Sequence, residues 1–199
     1  MLQEKLKIAT KNHHDRLEQL MFVDHIMQRS LNLQQYGQLL TTNYLIHYWY
    51  ENKLHEKIGI TINKSLNLEG RIKLHALALD LMEAGIQKEV INEKFKLKNH
   101  SNIPSQTFAM GALYVLEGAT LGGSVIQKQL AQNINFPIET SLHYYRCYGA
   151  QLMANWKQFL EVLNGITEVK HQEVLNGALW MFGEIIATAE TVNRLAKRK

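Results

Sequence analysis

Apolar residues recur at helical spacing along almost the whole chain, and the strict alternation typical of strands is scarce. Only two prolines, Pro104 and Pro137, occur in 199 residues, and no repeat or Gly/Ser-rich linker divides the sequence. This pattern predicts an all-α fold, with a single compact multi-helix domain over residues 1–199. The predicted helices cover residues 2–28, 32–58, 71–84, 88–95, 106–132, 141–163 and 169–197.

Capping and turn residues set the ends of several of these helices. Asn32 is the expected N-cap of the second helix, and Gly85 is the expected C-cap of the third. Residues 63–69 form a predicted polar link, residues 96–104 a loop, and residues 133–140 a turn that contains Pro137.

Charge and cysteine content narrow the class of protein. The formal net charge is +4, much of it in the last six residues, and no nucleic-acid-binding motif is present. No apolar run approaches a membrane span, and the N-terminus mixes charged and apolar residues unlike a signal peptide. Cys147, the single cysteine, excludes an intrachain disulfide and fits a reducing compartment. We therefore expect a cytoplasmic protein with neither a nucleic-acid nor a membrane partner.

The predicted helix at residues 106–132 contains glycines where a helix should avoid them. Gly118, Gly122 and Gly123 lie within six residues, and each costs about 1 kcal/mol relative to alanine. Gly118 and Gly122 are four residues apart and share one face, which is left without side chains. Such a strip lets a flat ligand approach the backbone closely. Close packing against another helix is the simpler alternative.

The first predicted helix carries a second unusual face. His14 lies to one side of the apolar seam with Lys7 and Lys11 beside it, and Glu18 is one turn further on. A histidine backed by a carboxylate is typical of an oriented metal ligand. The alternative is a solvated face with ordinary charge pairs. His13 lies at the centre of the seam, so periodicity alone buries His13 and leaves His14 at the flank.

One ligand would explain both faces: a flat, iron-containing macrocycle that carries two carboxylates. His14 would bind the iron, and Lys7 and Lys11 would pair with the carboxylates. The glycine strip would then cover the opposite side of the ring.

These two segments resemble the haem oxygenase family, in particular its bacterial members. Residues 6–18, LKIATKNHHDRLE, are similar to the family pattern Leu-Lys-x-Ala-Thr-x-x-x-His-x-x-(Ala/Leu)-Glu. Residues 113–123, LYVLEGATLGG, are similar to the bacterial Tyr-Val-x-Glu-Gly-(Ser/Ala)-x-Leu-Gly. The separation of the two segments and the chain length also fit the family. In the family pattern the iron ligand lies four residues after the threonine, and counting from Thr10 this position is His14, not His13.

The resemblance implies a role for each matched residue. His14 would be the iron ligand with Glu18 behind it, and Lys7 and Lys11 would lie near the haem propionates. Ala119 stands where animal members carry an aspartate that organises water for proton delivery, so Thr120 and nearby backbone carbonyls would hold water instead. The haem-contacting and catalytic set is completed by Tyr114, Gly118, Ala119, Thr120, Gly122 and Tyr148.

The activity implied is oxidative cleavage of haem b (iron protoporphyrin IX), which is both substrate and cofactor. The products are biliverdin, carbon monoxide and ferrous iron, and the reaction uses dioxygen and electrons. Nothing in the sequence resembles a flavin or nicotinamide site, so the electrons would come from another protein. An acidic ferredoxin, a flavodoxin or their reductase would suit the basic groups near Lys7 and Lys11.

Three alternatives remain open at this point. A non-catalytic haem carrier or sensor is the nearest, because Ala119 replaces the aspartate. A di-iron carboxylate bundle needs two Glu-x-x-His pairs, and only Glu168 and His171 form one. A helical adaptor without a ligand predicts no pocket between the first helix and the glycine-containing helix. The remaining histidines lack metal-ligand spacing and are interpreted as surface or satisfied core groups.

Overall fold

The computed structural model describes residues 1–95, 102–135 and 141–197, and these residues form helices and no strands. The predicted all-α fold is confirmed. The α-helices of the described ranges are α1 (Leu2–Leu20), α2 (Val23–Met27), α3 (Leu33–Ile46), α4 (Asn52–Lys57), α5 (Ile60–Leu66), α6 (Leu74–Glu83), α7 (Lys88–Lys94), α8 (Gln106–Ala131), α9 (Leu152–Asn164) and α10 (His171–Ala196). A π-helical segment, His47–Glu51, joins α3 to α4. That the domain takes in all of residues 1–199 stays a prediction.

Two of the predicted helices are interrupted. The first ends at Leu20 because Phe22 adopts a left-handed conformation (φ 59°), and a separate short helix, α2, follows. The second begins as predicted, since Asn32 caps α3 in a reciprocal capping box with Gln35. Its helical course then passes through the π-helical segment before it ends at Lys57.

Other boundaries were wrong. The predicted polar link at residues 63–69 is largely helical, as α5 and a 3₁₀ turn at Leu68–Arg71. The helix predicted at residues 141–163 begins only at Leu152, because residues before it form short 3₁₀ turns. The buried Asp80 carboxylate accepts the backbone N–H groups of His143 and Tyr144 and holds that turn. Parts of the predicted loop at 96–104 and turn at 133–140 lie outside the described residues.

Two long helices, α8 and α10, cross at the centre of the core. An alanine Cβ at Gly111 would lie 1.9 Å from the Val174 carbonyl oxygen, and one at Gly177 would lie 2.0 Å from that of Phe108. The two backbones therefore touch at this crossing. The first helix also packs on α10, where Leu6 is completely buried, so α1 and α8 are both held by α10.

The length and apolar composition of α8 would suffice to cross a membrane, contrary to the expectation that no segment comes near that length. More than half of its most apolar stretch, 56%, is buried inside the protein. These are also the properties of the central helix of a folded core.

Candidate functional site

A cavity of about 1080 Å³ lies between α1 and α8. Ligand sites in proteins commonly have volumes of roughly 300–1000 Å³, so this one has room for a large ligand. Its inner walls are largely apolar, with Leu17, Trp156, Phe182 and Ile185 among the lining residues. A ligand-free adaptor would have no such cavity at this position, and this observation weighs against it.

The α1 wall presents His14 to the cavity. The His14 side chain is 59% exposed, and its Nδ1 lies 3.6 Å from the Glu18 Oε1, an ion-pair distance longer than a hydrogen bond. Its Nε2 therefore remains for a ligand. His13 does not line the cavity; its Nδ1 is buried without a hydrogen-bond partner, and its ring lies near Phe182. The structure thus places His14, and not His13, on the cavity wall, in agreement with the alignment to the family pattern.

Of the two lysines predicted to pair with an anionic ligand on the α1 wall, one is already paired within the protein. Lys7 and Lys11 both line the cavity. However, the Lys11 ammonium donates to the Asp15 carboxylate, and this hydrogen bond raises the pKa of Lys11. Within the described ranges, Lys7 makes no ion pair. Lys7 is therefore the more available partner for an anionic group.

The α8 wall includes Tyr114, Gly118, Ala119 and Gly122. An alanine Cβ at Gly118 would lie 3.8 Å from the Trp156 ring, and one at Gly122 would lie 3.8 Å from Ile126, both ordinary contacts. Close helix packing therefore explains Gly111 but not these two glycines. The bare strip instead faces the cavity.

This contrast between glycines can be tested on the ligand-free protein. We expect Gly111→Ala to lose roughly 1–3 kcal/mol of unfolding free energy, because its Cβ must displace the α10 backbone. Gly118→Ala, the matched control on the same helix, should change stability by less than about 0.5 kcal/mol or raise it slightly. Urea unfolding monitored by circular dichroism measures both. Equal losses would mean that Gly118 is also needed for packing.

Comparison with known proteins places this architecture in a family. The family described as Heme oxygenase matches residues 1–189. The chain belongs to the haem oxygenase family. Among curated proteins, no match was found.

Solved haem oxygenase structures share the fold at low sequence identity. The enzyme from Leptospira interrogans has a TM-score of 0.74 at 18% identity and covers 96% of this chain and 98% of its own. The nitric oxide- and carbon monoxide-bound enzyme from Neisseria meningitidis has a TM-score of 0.73 at 21% identity, covering 96% and 92%. The haem complex of heme oxygenase-1 from the cyanobacterium Synechocystis has a TM-score of 0.73 at 14% identity, covering 99% and 94%. These likenesses establish the fold.

Eight of the ten predicted site residues line the cavity of this haem oxygenase family member, and two do not. Thr120 is buried, and its hydroxyl donates to the Glu117 carbonyl oxygen at 2.6 Å. Tyr148 is also buried, and its hydroxyl lies 2.9 and 2.8 Å from the two Glu117 carboxylate oxygens. The structure therefore does not bring Thr120 or Tyr148 to the cavity wall. That Thr120 holds water there and that Tyr148 contacts haem stay predictions.

Tyr148 belongs instead to a buried ionic cluster that the sequence did not suggest. The Glu117 carboxylate pairs with Arg71 and with Lys73, each at 2.6 Å, and all three side chains are at most 3% exposed. Burial acts to raise the pKa of Glu117, but the charges of Lys73 and Arg71 outweigh it and lower that pKa. The cluster ties α8 to the chain before α6 at the residue that precedes Gly118. The one available signal was a glutamate inside an otherwise apolar helix.

Proposed function

We propose that this protein is a haem oxygenase that cleaves haem b to biliverdin and releases carbon monoxide and ferrous iron. One observation carries the proposal: His14 and the side-chain-free strip of α8 line a single cavity. One bound ligand would therefore explain both unusual features of the sequence, the histidine-bearing face of α1 and the glycine strip of α8.

The residues of the cavity fit a porphyrin in three respects. The inner walls are apolar and suit the macrocycle. On α1, Lys7 is available to one of its carboxylates, and Lys11, which is paired with Asp15, lies on the same wall. An imidazole with a carboxylate at one nitrogen suits iron at the other. The positions of Gly118 and Gly122 have space above the backbone that a side chain would fill.

When bound, haem supplies the iron that activates dioxygen and the ring that is opened. The protein supplies orientation. His14 would hold the iron through Nε2, and Glu18 would fix the orientation of the imidazole through Nδ1. Gly118 and Gly122 would leave room for only a small gas molecule and exclude competing side-chain ligands, which is a positioning effect.

Electrons would come from a separate cytoplasmic donor, such as a ferredoxin, a flavodoxin or their reductase. Lys7 is exposed on the cavity wall and would contribute to docking an acidic protein near the haem edge. Such docking depends on ionic strength, because exposed charges are screened over about 8 Å at physiological salt.

Aerobic turnover separates the oxygenase from a carrier or sensor on the same scaffold. The purified protein is mixed with hemin, and ascorbate or a ferredoxin–reductase system is added in air with catalase present. We expect the Soret band to disappear and a bilin spectrum to form, with no change under argon. Catalase excludes ring destruction by free peroxide. A Soret band that persists in air with the donor present would identify a carrier.

A further inference from the structure

A short segment without α-helical structure forms part of the cavity wall. Residues 141–146, the tyrosine segment, lie between α8 and α9 in the chain, and both Tyr144 and Tyr145 line the cavity. Tyr144 is buried, and its ring lies against that of Tyr145 with centroids 5.2 Å apart. None of these residues was predicted to be part of the site.

The tyrosine segment also contacts α8 beside the glycine strip. An alanine Cβ at Gly123 would lie 3.2 Å from the Tyr145 carbonyl oxygen, which is closer than an ordinary contact. Four residues later, on the same face of α8, the side-chain amide of Gln127 lies 2.9 and 3.0 Å from the Arg146 guanidinium. Gly122, the residue before Gly123, lines the cavity. This part of α8 therefore faces the cavity on one side and the tyrosine segment on another.

Asp80 on α6 holds the tyrosine segment in a conformation that the segment would not keep alone. Leu142 adopts a left-handed conformation (φ 54°), although it is not a glycine and its side chain is buried. Such a conformation persists only where the surrounding structure enforces it. The two oxygens of the buried Asp80 carboxylate accept the backbone N–H groups of His143 and Tyr144 at 2.7 and 2.9 Å. The next residue along the chain is the one whose carbonyl oxygen contacts α8.

We propose that Asp80 is a positioning residue for the α8 wall: through the tyrosine segment it keeps Gly122 and Gly123 at a fixed distance from α1. This inference rests on the proposed function, because that distance would confine a haem between α8 and His14. Glycines weaken a helix, so the part of α8 that carries the bare strip depends on support from its neighbours. The tyrosine segment gives that support without placing a side chain over the strip.

Amide hydrogen exchange of the ligand-free protein tests this support directly. Asp80→Asn keeps the size of the side chain, but its NH₂ group cannot accept a backbone N–H. A hydrogen bond to a charged group corresponds to a roughly 10- to 100-fold change in an equilibrium, so we expect the amides of residues 122–126 to exchange at least about tenfold faster. The amides of residues 109–116 should stay within about twofold of wild type, because that half of α8 packs on α10 at Gly111.

Glu83→Gln is the matched control on the same helix. The Glu83 carboxylate accepts the backbone N–H of Ser141 at 3.0 Å and lies 2.9 Å from the His143 Nε2, but it is exposed and holds the start of the segment, away from the contact with α8. We expect exchange at residues 122–126 to stay within about threefold of wild type. Unchanged exchange in Asp80→Asn, equal increases in the two variants, or a uniform increase along α8 would overturn the proposal.

The contact can also be tested from the α8 side, which remains decisive if Asp80→Asn does not fold. The new Cβ of Gly123→Ala presses on the Tyr145 carbonyl oxygen, so the two amides that Asp80 holds should exchange about tenfold faster. Gly122→Ala is the control, since its Cβ would make an ordinary contact of 3.8 Å within α8 and should leave those amides within about twofold of wild type. Equal exchange rates in these two variants would contradict the support.

Hemin release connects this support to the proposed function. The hemin-loaded protein is mixed with excess apomyoglobin, and the transfer of hemin is followed by absorbance. We expect Asp80→Asn to release hemin about tenfold faster with an unchanged Soret position, because His14 is untouched, and Glu83→Gln to stay within about threefold of wild type. Wild-type release in Asp80→Asn would overturn the role in confining haem. If the wild-type protein takes up no hemin, the proposed function fails separately, and the exchange rates still decide whether Asp80 supports α8.

Discussion

Replacing His14 with alanine is expected to lower the rate of haem cleavage by more than about 100-fold and to shift the Soret band of the hemin complex. His14 lines the cavity, and Glu18 lies beside its Nδ1, so Nε2 is the nitrogen that would bind iron under the proposed function. Loss of only an outer hydrogen-bond partner of a metal ligand commonly costs about 10–100-fold in affinity or activity, so loss of the ligand itself should cost more. Absorption spectra and aerobic turnover with ascorbate measure both effects.

Two further variants define the cause of that loss. Glu18→Ala removes the carboxylate beside Nδ1 and should reduce turnover by about tenfold with the Soret band largely kept. His13→Ala should leave the spectrum unchanged and alter mainly stability, by about 1 kcal/mol, because His13 does not line the cavity.

Imidazole added to the solution provides the sharpest control. The space vacated in His14→Ala can admit free imidazole, which should restore the Soret position of wild type. Equal loss of the haem spectrum in His13→Ala and His14→Ala, or no response to imidazole, would contradict His14 as the ligand.

The two walls of the cavity were accessible from the sequence because helical periodicity fixes which residues share a face. His14 and Glu18 are one turn apart, as are Gly118 and Gly122, and each pair lines the cavity. Helical periodicity also predicts that Thr120 does not share the face of Gly118. It lies two residues, or about 200°, from Gly118 around the helix, so the two face opposite ways. Thr120 occupies an unspecified position of the bacterial pattern, and it was chosen only because its hydroxyl lies next to Ala119 in the sequence.

The remaining features depend on contacts between distant parts of the chain. Phe22 and Leu142 adopt left-handed conformations that ordinary residue preferences disfavour, so the breaks near them could not be read locally. Arg71 and Glu117 are 46 residues apart and meet only once α8 is packed. The hydrogen bonds between the Tyr148 hydroxyl and the Glu117 carboxylate likewise form only in the folded chain.

Glu117→Gln is expected to cost about 3–5 kcal/mol of unfolding free energy at neutral pH. The substitution keeps the shape of the side chain but leaves the Arg71 and Lys73 cations buried without a counter-charge. Burial acts to lower the pKa of Lys73 and Glu117 raises it, so Lys73 relies on this carboxylate to stay charged. Urea unfolding of the ligand-free protein measures the cost.

Glu190→Gln is the matched control on the surface. Glu190 pairs with Arg16 at 3.0 Å, but both side chains are about half exposed, 50% and 52%. Exposed pairs contribute about 0–1 kcal/mol, so this variant should lie close to wild type. Adding Lys73→Met to Glu117→Gln removes one uncompensated cation and should recover part of the loss. A Glu117→Gln loss no greater than that of Glu190→Gln would show that the buried cluster does not anchor α8.

The stability difference between wild type and Glu117→Gln should also depend on pH in a defined direction. The pKa of Glu117 is lowered in the folded state, so its contribution is present above the unfolded value of about 4.3 and is lost as pH falls through the folded value. Glu51, with a pKa of about 2, acts in the same direction in both proteins and cancels in the comparison. The gap between the two proteins should therefore be constant from neutral pH down to about 5 and narrow below about 4. Because Glu117 adjoins Gly118, a gap that does not narrow in acid would mean that the substitution distorts α8 itself, independent of the lost charge.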